Sequence, residues 1–163
     1  MTQLEHFLSV GVLTGSRAFN CETSASDWDI VVLESDYHKY RKGTILNYTS
    51  FKEPKVHIAH NGQYYYGFDL SEINEFENKS FLEYDKHTIW GPLTKLVKYI
   101  SDDTKELINL FVYEDKYADI LPKFKELNDL MNFIYGSKLK DKSVRIKAFT
   151  EVISKIGITD FML

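Results

Sequence analysis

Two aspartates separated by one residue constrain this chain more than any other feature of its sequence. Asp27 and Asp29 follow a small, polar segment and open an apolar run that ends at Leu33. In an extended strand, residues i and i+2 project from the same face, so the two carboxylates are expected side by side at the start of a buried strand. Two such groups repel each other and attract a divalent cation.

A Gly-Ser pair precedes the aspartates at the end of another apolar run. Residues 8–14 are apolar through most of their length and predict a buried strand, with Gly15 and Ser16 as the turn that follows it. Backbone N–H groups in such a turn are suited to holding phosphate. A cation site beside a phosphate site is typical of phosphoryl or nucleotidyl transfer.

A third carboxylate is expected, because two leave a pair of divalent ions under-neutralised. The Asn-Gly pair at 61–62 lies between two extended segments and predicts a hairpin with strands at about 55–60 and 63–69. Asp69 lies at the end of the second of these strands and is the best candidate for the third ligand. The alternative is that Asp69 is simply the polar end of a strand.

The remaining segments predict mainly helices, so the chain has a strand-rich first half and a helical second half. The apolar spacing indicates a core at residues 1–90 and a C-terminal helical region at 91–163 packed on it as one structural unit. The predicted helices are 2–7, 37–46, 93–100, 103–113, 119–135 and 143–156, and a further helix is predicted to begin at Ser71.

Composition excludes several classes of protein. The chain has 163 residues, a size expected for one domain, and a net charge of −4, which disfavours a broad surface for coating nucleic acid. The single cysteine, Cys21, rules out an intrachain disulfide and fits a filler role in its loop. The sequence shows neither a signal-peptide pattern nor an apolar run of about 20 residues, so a cytoplasmic protein without a membrane partner is predicted.

The order Gly-Ser-Arg-Ala at 15–18 and Ser-Asp-Trp-Asp-Ile at 26–30 resembles the signature of the nucleotidyltransferase superfamily that includes DNA polymerase β. The resemblance implies an α/β (α+β) fold with a mixed sheet flanked by helices. It also implies transfer of a nucleoside monophosphate from a nucleoside triphosphate (NTP) to a hydroxyl, with release of pyrophosphate. Together with the run from Asp69 to Phe76, the motifs more narrowly resemble a bacterial and phage branch linked to RNA repair.

The same resemblance implies a role for each matching residue. Gly15 and Ser16 correspond to the turn that grips the NTP phosphates, and Asp27 and Asp29 to the pair that binds Mg²⁺ or Mn²⁺. Asp69 corresponds to the third metal-binding carboxylate, which would also deprotonate the attacking hydroxyl.

Two further residues are candidate nucleotide contacts. Arg17 directly follows the turn, where it could donate two hydrogen bonds to a phosphate or pair with a surface acid. Tyr65 lies on the predicted active face of the hairpin and could contact the nucleotide, although strand aromatics usually fill a core. His57 and His60 would face opposite sides of a strand, so chelation by this pair is not expected.

The acceptor is open between RNA, a protein side chain and a small molecule. The basic segment 138–147 is either a patch for RNA or triphosphate or a solvated helix start. The alternative function is a catalytically silent binding module, such as an inhibitor or a toxin-neutralising partner, and a third is a nucleic-acid binder without chemistry.

Overall fold

The computed structural model describes residues 1–50, 56–58, 64–66 and 90–158. These residues form helices around a mixed β-sheet, which confirms the predicted α/β class. In chain order the elements are α1 Gln3–Val10, β1 Val12–Thr14, α2 Gly15–Ala18, β2 Trp28–Leu33, α3 Glu34–Tyr40, β3 Gly43–Ser50, β4 Val56–Ile58, β5 Tyr64–Tyr66, β6 Leu93–Ser101, β7 Leu107–Tyr113, α4 Ile120–Tyr135 and α5 Lys142–Lys155, with 3-10 helices at Asp115–Tyr117 and Gly136–Lys140.

The main sheet has five strands in the order β1-β2-β7-β6-β3. β2 and β7 run parallel, whereas the β1–β2, β7–β6 and β6–β3 pairs are antiparallel. β4 and β5 form a separate antiparallel pair with Ile58 opposite Tyr64, so the described part of the predicted hairpin is confirmed.

Each face of the main sheet is covered by helices over its own apolar cluster. On one face, Val31 of β2 and Phe111 of β7 belong to a cluster with buried residues of α4 and α5, among them Phe124 and Phe149. The other face carries residues of alternate parity, such as Ile30, whose cluster includes residues of α1 and α3. β2 is therefore apolar on both sides except at its start, as its sequence predicts.

The first helix is longer than predicted. Thr2 and Glu5 form a capping box, with the Thr2 hydroxyl accepting from the Glu5 backbone N–H and the Glu5 side chain accepting from the Thr2 N–H. The helix then continues to Val10 and buries Phe7, so the predicted strand at 8–14 is wrong for its first half. Of residues 8–14, it is Val12–Thr14 that pair with β2.

Three predicted helices are wrong in whole or in part. The predicted helix at 37–46 ends at Tyr40, and the β-branched and aromatic residues beyond it form β3 instead. Residues 93–100 belong to β6 and residues 107–113 form β7. Both strands have neighbours on either side in the sheet and are mostly buried, and a short apolar run of this kind suits a buried strand as well as a helix. The helices predicted at 2–7, 119–135 and 143–156 are confirmed. The helix predicted to begin at Ser71 lies outside the described residues.

The length and apolar character of the helices in the described residues show whether any of them could span a membrane. None of them is long and apolar enough to cross a bilayer.

Candidate functional site

A row of polar side chains crosses the sheet at one pairing position. Thr14 pairs with Asp29, Asp29 with Asn109, and Asn109 with Lys98. Residues paired directly across strands project from the same face, and Asp27 lies two residues before Asp29 on the same side. These five residues, Thr14, Asp27, Asp29, Lys98 and Asn109, are called the polar row below.

Asp29 is the centre of the polar row. Nδ2 of Asn109 donates a hydrogen bond to Oδ1 of Asp29 at 2.9 Å. Burial first, and then the negative charge of Asp27, raise the pKa of Asp29 to about 7, although the Asn109 hydrogen bond and the Lys98 charge act against this rise. Near neutral pH, Asp29 is therefore poised between binding a proton and binding a cation.

The Gly-Ser turn lies directly against Asp29. Gly15 opens α2 with φ +69°, a left-handed conformation that favours glycine. A Cβ atom at Gly15 would overlap the Asp29 carboxylate, so only a residue without a side chain permits this approach. The structure therefore brings together the turn and the aspartate pair that the sequence analysis placed in one site.

Asp27 is paired with a lysine from two strands away. Nζ of Lys98, on β6, lies 3.2 Å from Oδ2 of Asp27, and their side chains are 34% and 20% exposed. This partly buried ion pair is screened less by salt than a fully exposed one. The polar row thus contains a cation of its own.

Arg17 supports the loop that precedes the aspartates. Its guanidinium donates hydrogen bonds to the carbonyl oxygens of Ser26 at 2.8 Å and of Asp27 at 3.2 Å. The same group lies 4.0 Å from the centre of the Trp28 ring. Among the described residues, Arg17 therefore contacts backbone and an aromatic ring rather than a surface acid.

Helix α4 holds the other side of the turn. Nδ2 of Asn128 donates to the carbonyl of Leu13 at 2.6 Å, and the Thr14 hydroxyl donates to Oδ1 of Asn128 at 3.4 Å. One turn further along the helix, Asn132 donates to the carbonyl of Ala18 at 3.1 Å. These side chains position β1 and α2 against the polar row.

Several predicted site residues can be placed only in part. Asp69 and His60 lie outside the described residues. Tyr65 is on β5 opposite His57, and only its strand position is described. Cys21 is half-buried, and its thiol donates to the carbonyl of Phe19.

The basic segment 138–147 spans a 3-10 helix and the start of α5. Arg145 donates a hydrogen bond to the carbonyl of Leu139, and the lysines at 138, 140, 142 and 147 are exposed. Their exposure agrees with a solvated helix start and leaves them accessible to an anionic ligand.

The residues near the site that the sequence analysis missed include Lys98, Asn109 and Asn128. Each interrupts an otherwise apolar pattern in a strand or helix. A polar side chain that interrupts a buried segment requires a partner, and this is the signal that could have identified them.

The donor atoms of the polar row fit a hard divalent cation. Asp27 and Asp29 supply carboxylate oxygens, and Oδ1 of Asn109 is buried without a hydrogen-bond partner among the described residues. Within those residues, no group of three or more His, Cys, Asp or Glu side chains is arranged to hold a metal ion. The described donor set therefore comprises two carboxylates and one amide oxygen.

No family model, curated protein or solved structure matches this chain. Its function therefore has to be inferred from the chemistry of the polar row and the turn beside it.

Proposed function

We propose that this chain is a metal-dependent nucleotidyltransferase, which moves a nucleoside monophosphate from an NTP to a hydroxyl group. The observation that carries the proposal is the packing of the Gly15 turn against the Asp29 carboxylate, with Asp27 beside it. A phosphate-binding turn and a cation-binding carboxylate pair must lie this close, because both act on one triphosphate.

The described residues have distinct roles in this proposal. Asp27, Asp29 and the free amide oxygen of Asn109 would hold Mg²⁺ or Mn²⁺. When bound, the cation would neutralise charge on the triphosphate and its leaving group. Gly15 and Ser16 would present backbone N–H groups to the phosphates, while Asn109 keeps Asp29 oriented.

Two roles come from the sequence alone. Asp69 would complete the site and accept the proton of the attacking hydroxyl, as the family resemblance implies. Tyr65 would contact the nucleotide base. The acceptor hydroxyl would belong to RNA, a partner protein or a small molecule, and the protein would act in the cytoplasm.

The proposal is tested by following the label from each α-³²P-labelled NTP, with Mg²⁺, onto RNA or protein. The intact chain should transfer label from at least one NTP, and Asp29→Ala should reduce transfer by about 100-fold or more, because the site loses its central carboxylate. Asp129→Ala removes an exposed carboxylate of α4 and serves as the matched control, with transfer unchanged. Absence of both labelling and Mg²⁺-dependent NTP binding would contradict the proposal.

One observation favours a second candidate, a catalytically silent binding module that serves as an inhibitor or toxin-neutralising partner. Lys98 pairs with Asp27 and Asn109 bonds to Asp29, so both carboxylates have partners without any ligand. This candidate predicts no label transfer from any NTP. A nucleic-acid binder would instead show salt-sensitive RNA affinity that survives Asp27→Ala.

A further inference from the structure

The charge balance of the polar row differs from that of a site built for two divalent ions. Its described side chains comprise the carboxylates of Asp27 and Asp29, the ammonium of Lys98 and two neutral groups. Two divalent ions would bring four positive charges to a row whose two negative charges are already half balanced. The polar row is therefore suited to binding fewer positive charges than the four that two divalent ions would bring.

Strand β7 lies between Lys98 and Asp27, and Lys98 extends past it to reach the aspartate. β2 and β6 are separated by β7, so the two backbones are roughly 10 Å apart at ordinary strand spacing. The intervening residue on β7 is Asn109, whose short neutral side chain donates a hydrogen bond to Asp29. A carboxylate at position 109 would instead attract the ammonium group and repel Asp29.

We propose that Lys98 takes the place of one divalent cation, so that the polar row binds a single metal ion and uses the lysine ammonium as its second positive charge. This inference rests on the proposed cation site and specifies its capacity. The Lys98 charge then balances one of the two carboxylates, and Asp27, Asp29 and the amide oxygen of Asn109 remain the groups that would hold the single metal ion. The ammonium lies 3.2 Å from Oδ2 of Asp27 and so supplies its positive charge directly beside the carboxylate pair.

The capacity of the site is measured by Mn²⁺ binding to the full chain, using calorimetry and the electron paramagnetic resonance signal of free Mn²⁺, without nucleotide. The intact chain should bind one Mn²⁺. Lys98→Met retains the length of the side chain and removes its charge, and it should bind one more Mn²⁺ or hold the first about tenfold more tightly. Lys98→Arg should restore the behaviour of the intact chain, and Lys147→Met, an exposed lysine of α5, should change nothing.

Two results would overturn the inference. One is equal Mn²⁺ stoichiometry and affinity in the intact chain and in Lys98→Met. The other is two Mn²⁺ ions in the intact chain with one lost in Asp69→Asn, which would show that a third carboxylate provides the second site.

The Mn²⁺-binding experiment can fail without the label-transfer experiment failing, and the reverse also holds. If the intact chain transfers label but binds two Mn²⁺ ions, the transferase stands and the inference fails. If the intact chain binds one Mn²⁺ but transfers no label, the inference stands and the transferase fails.

Discussion

At the scale of the residue, Asp29 couples the chemistry of the site to the stability of the fold. Its carboxyl is held between Gly15 and Asn109 in a partly buried position next to a second carboxylate. Placing a charge there has an energetic cost that a proton or a metal ion removes. The same residue should therefore control both how stable the ligand-free chain is and how strongly it attracts a cation.

This coupling predicts how stability depends on pH. The folded-state pKa of about 7 lies above the ordinary value of 3.8, so between these values the folded chain binds a proton that the unfolded chain releases. The contribution of Asp29 to stability should decrease as pH rises from about 4 to about 7 and then level off. The unfolding free energy of Asp29→Asn should be higher than that of the intact chain by about 2 kcal/mol at pH 8. At pH 5 the difference should be much smaller.

The measurement is urea denaturation at the two pH values with a chelator present. Asp129→Asn, at an exposed position of α4, is the control and should show no such difference. An advantage of Asp29→Asn that is equal at pH 5 and pH 8 would show that burial does not perturb this carboxyl.

At the scale of the element, the important contact is between the β1–α2 turn and β2. Gly15→Ala should disrupt it in two ways, because the backbone there is left-handed and the added methyl group would overlap Asp29. Gly136 offers a matched control: it too has a positive φ, +51°, but a Cβ there meets nothing within 4 Å. Because Gly136 has ψ −128°, Gly136→Ala gives the cost of a side chain in a sparsely populated positive-φ conformation without a steric overlap, about 1–3 kcal/mol.

In urea denaturation, Gly15→Ala should therefore lose about 1–2 kcal/mol more than Gly136→Ala. Equal losses would mean that the turn shifts away from Asp29 at little cost. Such a shift would also remove the observation on which the proposed phosphate site depends.

The type of an element was predictable where one face carried a clear signal, and the prediction for β6 failed because its two lysines form ion pairs inside the sheet. In β6, the apolar residues at 93, 96, 97 and 100 follow a helical period because Lys95 and Lys98 occupy the intervening positions. Both lysines are accommodated by partners distant in sequence, Glu34 on one face and Asp27 on the other. Local periodicity contains no information about such partners, which is why the pattern predicted a helix.

Part of the candidate site was predictable because its residues are close together in sequence. Gly15, Asp27 and Asp29 lie close together in sequence, and their order alone indicated a shared site. Asn109 and Lys98 join them only through the pairing of β7 with β2 and of β6 with β7. Strand order is a long-range property, so their part in the polar row was visible only in the fold.

At the scale of the whole molecule, the sheet joins the two parts that the sequence analysis distinguished. β7 and β6 lie between β2 and β3, and both apolar clusters contain residues from either side of position 90. A chain ending at residue 90 would leave β2 without its parallel neighbour and would expose Val31 and Ile30. The full chain should unfold in one cooperative transition.

We therefore expect a fragment of residues 1–90 to show no cooperative thermal transition by circular dichroism and a poorly dispersed amide NMR spectrum. The full-length chain under the same conditions is the reference. A sharp transition in the fragment would indicate that the first part folds on its own and that β6 and β7 add to a preformed unit.

The parallel pairing of β2 and β7 also determines when the polar row can exist during synthesis. Asp29 and Asn109 are 80 positions apart, and the hydrogen bond between them requires both strands. A chain emerging from the ribosome therefore has its aspartate pair and turn long before it has Asn109 or Lys98. Contacts of such long sequence separation form late and slowly, so a growing chain would expose two unneutralised carboxylates until almost the whole sheet has been made.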